Sequence, residues 1–232
     1  MCGRINVSDN EGVRLLLEML GMDVWPSRDP RYNVAPSSLL DVVVAGSLGT
    51  PSWAEMQWGL RAPWARAGKS SPPLINARAE SLFEKPTFRQ LARDHRIIIP
   101  ITGFYEWHRK GKSKQPYLIR SADAPALLLA GIAQPANDDV NSQRACVVTT
   151  TANGIMSAVH SRMPVILNSK DALTWLTGSD EISVRSLMTP ASNDAVLVQA
   201  VGAYVNNTRH QGAECQEPVS YTHLTLPTNR EV

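Results

Sequence analysis

"RIIIPITGFYEW" (residues 96–107) is the stretch of the sequence that decides the fold. It is apolar, rich in β-branched and aromatic side chains, and long enough to form a strand that crosses a core. Similar strand-like runs follow in the middle of the chain, at residues 116–121, 127–134 and 145–150. The turn-forming stretches "KGKSKQ" (110–115) and "NDDVNSQ" (137–143) separate these runs, and this pattern is typical of antiparallel strands.

The flanking regions add a hairpin and several short helices. Residues 39–46 and 53–59 are predicted strands that the turn-rich "SLGTPS" joins as a hairpin. The motif "SDNE" predicts a helix with Ser8 as its N-cap and Leu20 near its end. The remaining predicted elements are helices at residues 85–95, 169–178 and 181–188, a late strand at 195–202 and an extended, proline-bounded loop at 29–36.

These elements predict a single α+β domain. Because short turns join most strands and helices are few, the sheets should be largely antiparallel and barrel-like, with the helices flanking them. We expect this domain to span residues 1–218. The stretch after it, "VSYTHLTLPTNREV" (219–232), has no hydrophobic periodicity and is predicted to be a disordered tail. Its start, "VSYTH", resembles the translation of a transposon adapter, so the tail is predicted to be non-native sequence; the alternative is a floppy native tail.

Composition narrows the class of protein. The 232 residues carry a net charge of +2, so any surface for nucleic acid must come from local clusters of arginine. The three cysteines include no C-x-x-C pair, which favours neither a disulfide framework nor a zinc site and indicates a reducing compartment. The residues predict neither a signal peptide nor a membrane span. We expect a soluble, cytoplasmic monomer that uses no cofactor and no metal.

Cys2 is the most unusual candidate for chemistry. Initiator methionine is usually removed before a small residue, and the mature chain would then begin with a free α-amine beside a thiol. Their ordinary pKa values, about 7.7–8.0 and about 8.5, make both groups available as nucleophiles near neutral pH. An amine condenses with an aldehyde to a Schiff base, and a neighbouring thiol then closes a thiazolidine ring. Cys2 is therefore a candidate aldehyde trap; the alternative is an incidental cysteine near a frayed terminus.

A series of motifs accompanies Cys2 along the chain. It comprises Arg4 in "CGR", Arg31 and Asn33 in "RYNVAP", Asn76, Arg78 and Glu80 in "PPLINARAE", Glu106 in "ITGFYEW", and Thr149, His160 and Arg162 in "VVTTTANGIMSAVHSRMPVIL". The series continues to "NTRHQGAE" (207–214) and so covers nearly the whole chain. In identity and order these motifs resemble those of the SRAP family, the SOS response-associated peptidases or abasic-site processing proteins.

The resemblance implies a specific activity and site. Members of the family hold single-stranded DNA in a basic channel and crosslink the mature N-terminal cysteine to the ring-opened aldehyde of an abasic site. Carried over by motif, Cys2 is the nucleophile, Asn76 orients the sugar, and Glu106 and His160 transfer protons. The residues assigned to DNA binding are Arg4, Asn33, Trp64, Arg78, Thr149 and Arg162. Trp64 lies in "APWARAGKSSPP" (62–73), a loop that lacks the second tryptophan expected of the family.

The same residues permit structural alternatives. Glu106 lies between aromatic residues in an apolar strand, where its carboxyl group could donate a proton near neutral pH, or it could face solvent from an ordinary strand. His160 could be a hydrogen-bonded structural histidine. The arginines could bind the phosphates of DNA, because the planar guanidinium group forms two parallel hydrogen bonds with a phosphate. Trp64 could stack on an unpaired base or anchor its loop on the core.

Two other functions stay open at this point. A thiol near a glutamate and a histidine could act as a hydrolase, a peptidase whose clearest task is removal of its own leader. Alternatively, the protein could bind single-stranded DNA non-covalently, with Cys2 incidental. The resemblance favours covalent, lyase-type abasic-site chemistry in the DNA damage response, with a location at the nucleoid and the replication machinery.

Overall fold

The computed structural model describes residues 2–22, 24–46, 49–62, 71–111, 113–136 and 142–219. Within these ranges the strands are β1 Ile5–Val7, β2 Arg31–Val34, β3 Leu39–Ala45, β4 Pro51–Trp58, β5 Asn76–Arg78, β6 Arg96–Ile101, β7 Gly103–Lys110, β8 Ser113–Ser121, β9 Leu127–Gln134, β10 Arg144–Thr151, β11 Arg162–Pro164, β12 Ile166–Leu167 and β13 Val196–Ala200. The α-helices are α1 Asn10–Glu18, α2 Arg89–Asp94, α3 Gly154–Ser157, α4 Ser169–Thr177 and α5 Glu181–Ser186. None of these helices is long and apolar enough to cross a membrane.

Five of the strands close into a barrel. β10 pairs with β9 on one side and with β4 on the other, so that Ala145 lies opposite both Ala133 and Trp58. From β4 the hydrogen-bonded path runs through β3, β6 and β9 and returns to β10. Most pairs are antiparallel, while β10 runs parallel to β4 and to β5. The predicted α+β class with largely antiparallel, barrel-like sheets is confirmed.

A second sheet packs on the barrel and carries the start of the chain. Its strand order is β13-β8-β7-β1-β2, and every pair is antiparallel. β2 takes the place of the loop predicted at 29–36. That prediction was wrong because Arg31–Val34 pairs with β1 at the edge of the sheet.

The stretch 96–107 forms two strands, in different sheets. β6 ends at Ile101, and β7 begins at Gly103. Between them the Thr102 hydroxyl accepts from the backbone N–H groups of Ser8 and Asp9, at 3.1 and 2.9 Å. A Cβ atom on Gly103 would lie 2.6 Å from the Ile119 carbonyl oxygen, so only glycine fits where the chain crosses between the sheets. The single predicted strand was therefore wrong at this point.

Side chains of the barrel strands alternate between two hydrophobic clusters. The inner cluster contains residues of both sheets. It comprises Cys2, Ile5, Val7, Val34, Leu40, Val42, Met56, Trp58, Ile97, Ile99, Ile101, Phe104, Ile119, Leu127, Leu129, Ala133, Ala145, Val147, Met156, Met163 and Val196. Ile98, which lies between Ile97 and Ile99, belongs instead to a second cluster that also contains Trp175 of α4. The far face of the second sheet carries a third cluster of Tyr105, Leu118, Val201, Val205 and Cys215.

Several predicted boundaries shift. Asp9, rather than Ser8, caps α1, because its carboxylate accepts from Gly12 N at 2.7 Å while the Ser8 hydroxyl donates to Asn6 at 2.6 Å. α1 also ends at Glu18, before Leu20. The helices predicted at 85–95, 169–178 and 181–188 and the β3–β4 hairpin are present with shifted ends. Residues 220–232 lie outside the described residues, so the division at 218 and the disordered, non-native tail stay predictions.

Candidate functional site

Cys2 lies at the end of the inner cluster, fully buried. Asn76 holds it from the barrel side, because the side-chain Nδ2 donates to the Cys2 carbonyl oxygen at 2.9 Å. The other amide atom of Asn76, Oδ1, is buried and has no hydrogen-bond partner among the described residues. A buried acceptor without a partner is rare in folded proteins, and it can receive a hydrogen bond from a bound ligand.

The register of β5 explains where Asn76 lies. β5 runs parallel to β10, with Asn76 opposite Val147 and Arg78 opposite Thr149. Side chains two apart on a strand share a face, so Asn76 and Arg78 project on the same side while Ala77 is buried on the other. Arg78 is exposed. The face that holds Cys2 therefore continues along β5 to an exposed cation.

Glu106 faces Cys2 from the second sheet. It lies on β7 with 3% of its surface exposed, and it shares a face with Phe104 of the inner cluster, while Tyr105 belongs to the third cluster behind the sheet. Burial raises the pKa of the Cys2 thiol well above its ordinary value, and the negative charge of Glu106 raises it further. A thiol in this position is protonated at neutral pH and needs a proton acceptor before it can act as a thiolate.

His160 and Arg162 lie together at the start of β11. The backbone N–H of Arg162 donates to Nδ1 of His160 at 3.0 Å. Nδ1 also lies 3.2 Å from the Arg162 carbonyl oxygen, so the backbone of Arg162 contacts this side of the ring through both of its polar groups. His160 is half-buried, so its ring can exchange protons with solvent or a ligand.

The Arg162 side chain joins β11 to β10 and to the turn after β5. Its Nη2 donates to the Thr149 carbonyl oxygen at 2.6 Å and lies 3.3 Å from the Thr149 hydroxyl. Both terminal nitrogens also bind the Glu80 carboxylate, with Nη2 3.0 Å from Oε2. Thr149 is fully buried, and it positions Arg162 rather than presenting its own side chain to solvent.

Arg4 and Asn33 form a buried network behind the site. Arg4 Nη1 donates to Asn33 Oδ1 at 2.6 Å and to the Val205 carbonyl oxygen at 3.0 Å. Asn33 Nδ2 in turn donates to the carbonyl oxygens of Asn207 and His210, at 3.0 and 2.8 Å. Burial lowers the pKa of Arg4. These bonds fasten the segment after β13 to the beginning of the chain.

The structure thus gathers most of the predicted site residues into three groups. Cys2, Asn76 and Glu106 form the first group. His160, Arg162 and Thr149 form the second, which the β5–β10 pairing connects to Arg78 and Asn76. Arg4 and Asn33 form the third, and the Arg4 backbone N–H lowers the pKa of the Cys2 thiol, against the larger effect of burial. Trp64 lies outside the described residues.

Sequence reasoning left two features without a role. Glu80 was noted in "PPLINARAE", but its ion pair with Arg162 joins residues 82 positions apart. The segment "NTRHQGAE" (207–214) was noted as part of the resemblance, but its bonds to Asn33 could not be read from spacing. An acidic residue beside predicted phosphate-binding arginines was the one available signal for Glu80.

Solved structures share this fold. A crystal structure of a Bacteroides thetaiotaomicron protein matches with a TM-score of 0.72 at 22% identity, over 94% of this chain and 98% of that one. A phage-related protein of Bordetella bronchiseptica matches with a TM-score of 0.70 at 26% identity, over 86% of this chain and 94% of that one. At 22% identity, the match to the Bacteroides thetaiotaomicron protein shows the fold alone.

The family is defined by sequence. The model of the SOS response associated peptidase (SRAP) family matches residues 1–208. The chain belongs to this family, and the resemblance seen in its motifs is confirmed.

Relatives with similar sequences carry a common name. The abasic site processing protein YoqW of Bacillus subtilis (strain 168) is 34% identical over 227 residues, which cover 94% of this chain and 99% of that protein. The abasic site processing protein YedK of Escherichia coli (strain K12) is 29% identical, over 94% of this chain and 100% of that one. The abasic site processing protein HMCES of Xenopus tropicalis is 26% identical, over 88% and 72%.

Proposed function

We propose that this protein processes abasic sites, and that it does so by capturing them covalently in single-stranded DNA through Cys2. The relatives named as abasic site processing proteins support the general activity. The observation that carries the covalent step is the placement of Cys2, whose backbone is held by Asn76 and whose thiol faces the buried carboxylate of Glu106. The partner is DNA that contains an abasic site, bound by one protein molecule in the cytoplasm.

The first step is Schiff-base formation. Removal of Met1 leaves Cys2 with a free α-amine, and an abasic deoxyribose in its open form presents an aldehyde. The amine nitrogen attacks the aldehyde carbon, a C–N bond forms, and the aldehyde oxygen leaves as water after taking up two protons. Glu106 and His160 are the groups proposed to move these protons, both here and when the sugar ring opens. Losing such a group typically slows a reaction about 10²–10⁴-fold.

The second step closes the thiazolidine ring. The Cys2 sulfur adds to the imine carbon, a C–S bond forms, and the thiol proton passes to the imine nitrogen. No oxidant or reductant is required. Because burial and the charge of Glu106 keep the thiol protonated, this step depends on a nearby acceptor. The Glu106 carboxylate can take the proton from sulfur and return it to nitrogen.

The remaining residues are proposed to hold the strand. Asn76 Oδ1, buried without a partner among the residues that the structure describes, can accept a hydrogen bond from a sugar hydroxyl beside Cys2. Arg78 and Arg162 bind phosphates on either side of β10, with Thr149 as the support of Arg162. Arg4 and Asn33 act from the buried network, where they fix the backbone that leads into Cys2. Trp64 is proposed to stack on an unpaired base.

The proposal is tested by incubation of the mature protein with an abasic single strand, followed by denaturing electrophoresis and intact mass spectrometry. We expect a denaturation-resistant complex whose mass equals protein plus DNA minus one water. The Cys2→Ala variant should form none, and it should retain its affinity for intact strands. If the wild type formed no covalent complex and bound intact strands as tightly as abasic strands, it would be a non-covalent binder. If it instead cleaved peptide substrates with loss of activity in Cys2→Ala, it would be a peptidase.

A further inference from the structure

The candidate DNA-binding face contains a negative charge among its arginines. β5, β10 and β11 lie side by side, with Arg78 opposite Thr149 on one side of β10 and Arg162 opposite Thr151 on the other. Glu80 follows Arg78 in the 3₁₀ turn after β5, so it returns toward β11 and meets the Arg162 side chain. A carboxylate at this point opposes the binding of a phosphate.

The two partners differ in exposure. The Arg162 side chain is 13% exposed and the Glu80 side chain 51%. Arg162 is held from behind by the Thr149 carbonyl oxygen, and Glu80 binds both of its terminal nitrogens. The carboxylate therefore covers the part of the guanidinium that a ligand from solvent would reach.

Glu80 is an anion in this position. The hydrogen bond from Arg162 lowers the pKa of the Glu80 carboxyl, and the positive charge of Arg78 contributes in the same direction. Carboxylates and phosphates bind the planar fork of arginine in the same way, through two parallel hydrogen bonds. Arg162 cannot offer those bonds to a phosphate while Glu80 accepts them.

We infer that the Glu80 carboxylate occupies the phosphate-binding position of the Arg162 guanidinium in the DNA-free protein, and that a backbone phosphate of the bound strand displaces it. This inference rests on the proposed function, since it takes single-stranded DNA as the ligand. It assigns Glu80 as the residue that weakens strand binding. A phosphate can bind Arg162 only after the Glu80–Arg162 ion pair has broken. Binding at this position therefore favours strands that other contacts already hold.

The test compares three proteins by fluorescence anisotropy with an intact, labelled oligothymidylate. They are the wild type, Glu80→Gln and the matched control Glu84→Gln, which removes the same charge from an exposed residue four positions further on. Glutamine keeps the size of Glu80 but leaves the Arg162 fork to phosphate. We expect Glu80→Gln to bind about fivefold more tightly than Glu84→Gln, which is the equilibrium equivalent of one exposed ion pair. Glu80→Ala should show the same direction of change, which covers the case in which Glu80→Gln folds poorly.

Equal affinities of Glu80→Gln and Glu84→Gln, or weaker binding by Glu80→Gln, would overturn the inference. Weaker binding would mean that Glu80 positions Arg162 for DNA instead of competing with it. Because the strand is intact, the result is independent of covalent chemistry. Crosslinking of an abasic strand, measured in parallel at saturating DNA, decides the proposed function, so the failure of one claim is distinguishable from the failure of the other.

Discussion

Glu106→Gln separates the two roles of the buried carboxylate. The substitution keeps the size of the side chain but removes its charge and its ability to accept a proton. Since Glu106 is only 3% exposed, water cannot readily replace it as the acceptor. We expect crosslinking of an abasic strand at saturating DNA to slow at least about 100-fold, which corresponds to about 3 kcal/mol of activation free energy. Affinity for an intact strand should stay unchanged.

The same substitution should lower the pKa of the Cys2 thiol. The charge of Glu106 is one of the causes that raise it, so removing the charge favours the thiolate. The pKa is measured by NMR titration of protein labelled with carbon-13 at the cysteine Cβ, with Cys2 assigned by the loss of its signal in Cys2→Ser. A thiol that ionises more easily yet crosslinks more slowly identifies Glu106 as a proton-transfer group rather than a general promoter of thiolate.

Tyr105→Phe is the matched control for this experiment. Tyr105 is the neighbouring residue on β7, and it faces the opposite side of the sheet. Its hydroxyl donates to the Tyr32 carbonyl oxygen at 2.9 Å and accepts from Asn6 Nδ2 at 3.0 Å. Losing these two bonds should cost about 1–3 kcal/mol of unfolding free energy and leave the crosslinking rate intact. Crosslinking by Glu106→Gln at the wild-type rate, or an equal slowing in Tyr105→Phe, would refute the assigned role of Glu106.

Three further predictions concern binding and stability. Arg78→Ala should weaken binding to intact and abasic strands alike, whereas Arg89→Ala, which removes an exposed cation on α2, should not. Fluorescence anisotropy measures both affinities, and a loss confined to abasic strands would contradict a phosphate contact. Crosslinking should favour single strands over duplexes, since unstacking costs a few kcal/mol, and single-strand affinity should fall with salt at a slope of about −0.7 per phosphate contacted. Equal yields on both substrates would argue against this. Asn33→Ala should lower the free energy of unfolding in urea by about 2–4 kcal/mol, because it leaves buried partners unsatisfied. Asn10→Ala, which loses one bond to the Arg28 carbonyl oxygen, should cost about 1 kcal/mol; equal losses would contradict the network.

Local patterns in the sequence predicted the elements better than their arrangement. Apolar runs bounded by turn residues identified β3, β4, β8, β9 and β10, because a strand that packs in a core needs apolar side chains wherever it lies. The division at Thr102 depends on bonds to Ser8 and Asp9, more than 90 positions earlier, and on the close approach of Ile119 to Gly103. No local pattern records such contacts.

The site shows the same limit. The motifs named Cys2, Asn76 and Glu106, and the structure places them together because Asn76 of β5 and Glu106 of β7 both lie close to Cys2. The ion pair of Glu80 with Arg162 required the parallel pairing of β5 with β10, which spacing alone does not predict. The burial of Asn33 required the segment that follows β13 to fold back over β2.

The most direct test of the central claim concerns the α-amine of Cys2. A protein that keeps one uncleaved residue before Cys2 has an amide nitrogen there, whose lone pair is delocalised into the carbonyl group and cannot attack an aldehyde. This protein, a C-terminally tagged wild type and Cys2→Ser are incubated with abasic single strands and separated on a denaturing gel, with and without borohydride. We predict a stable crosslink from the C-terminally tagged protein alone, and a borohydride-dependent one from Cys2→Ser, which keeps the amine. A stable crosslink from the N-terminally extended protein, with the extra residue shown by mass spectrometry to be intact, would contradict the aminothiol mechanism.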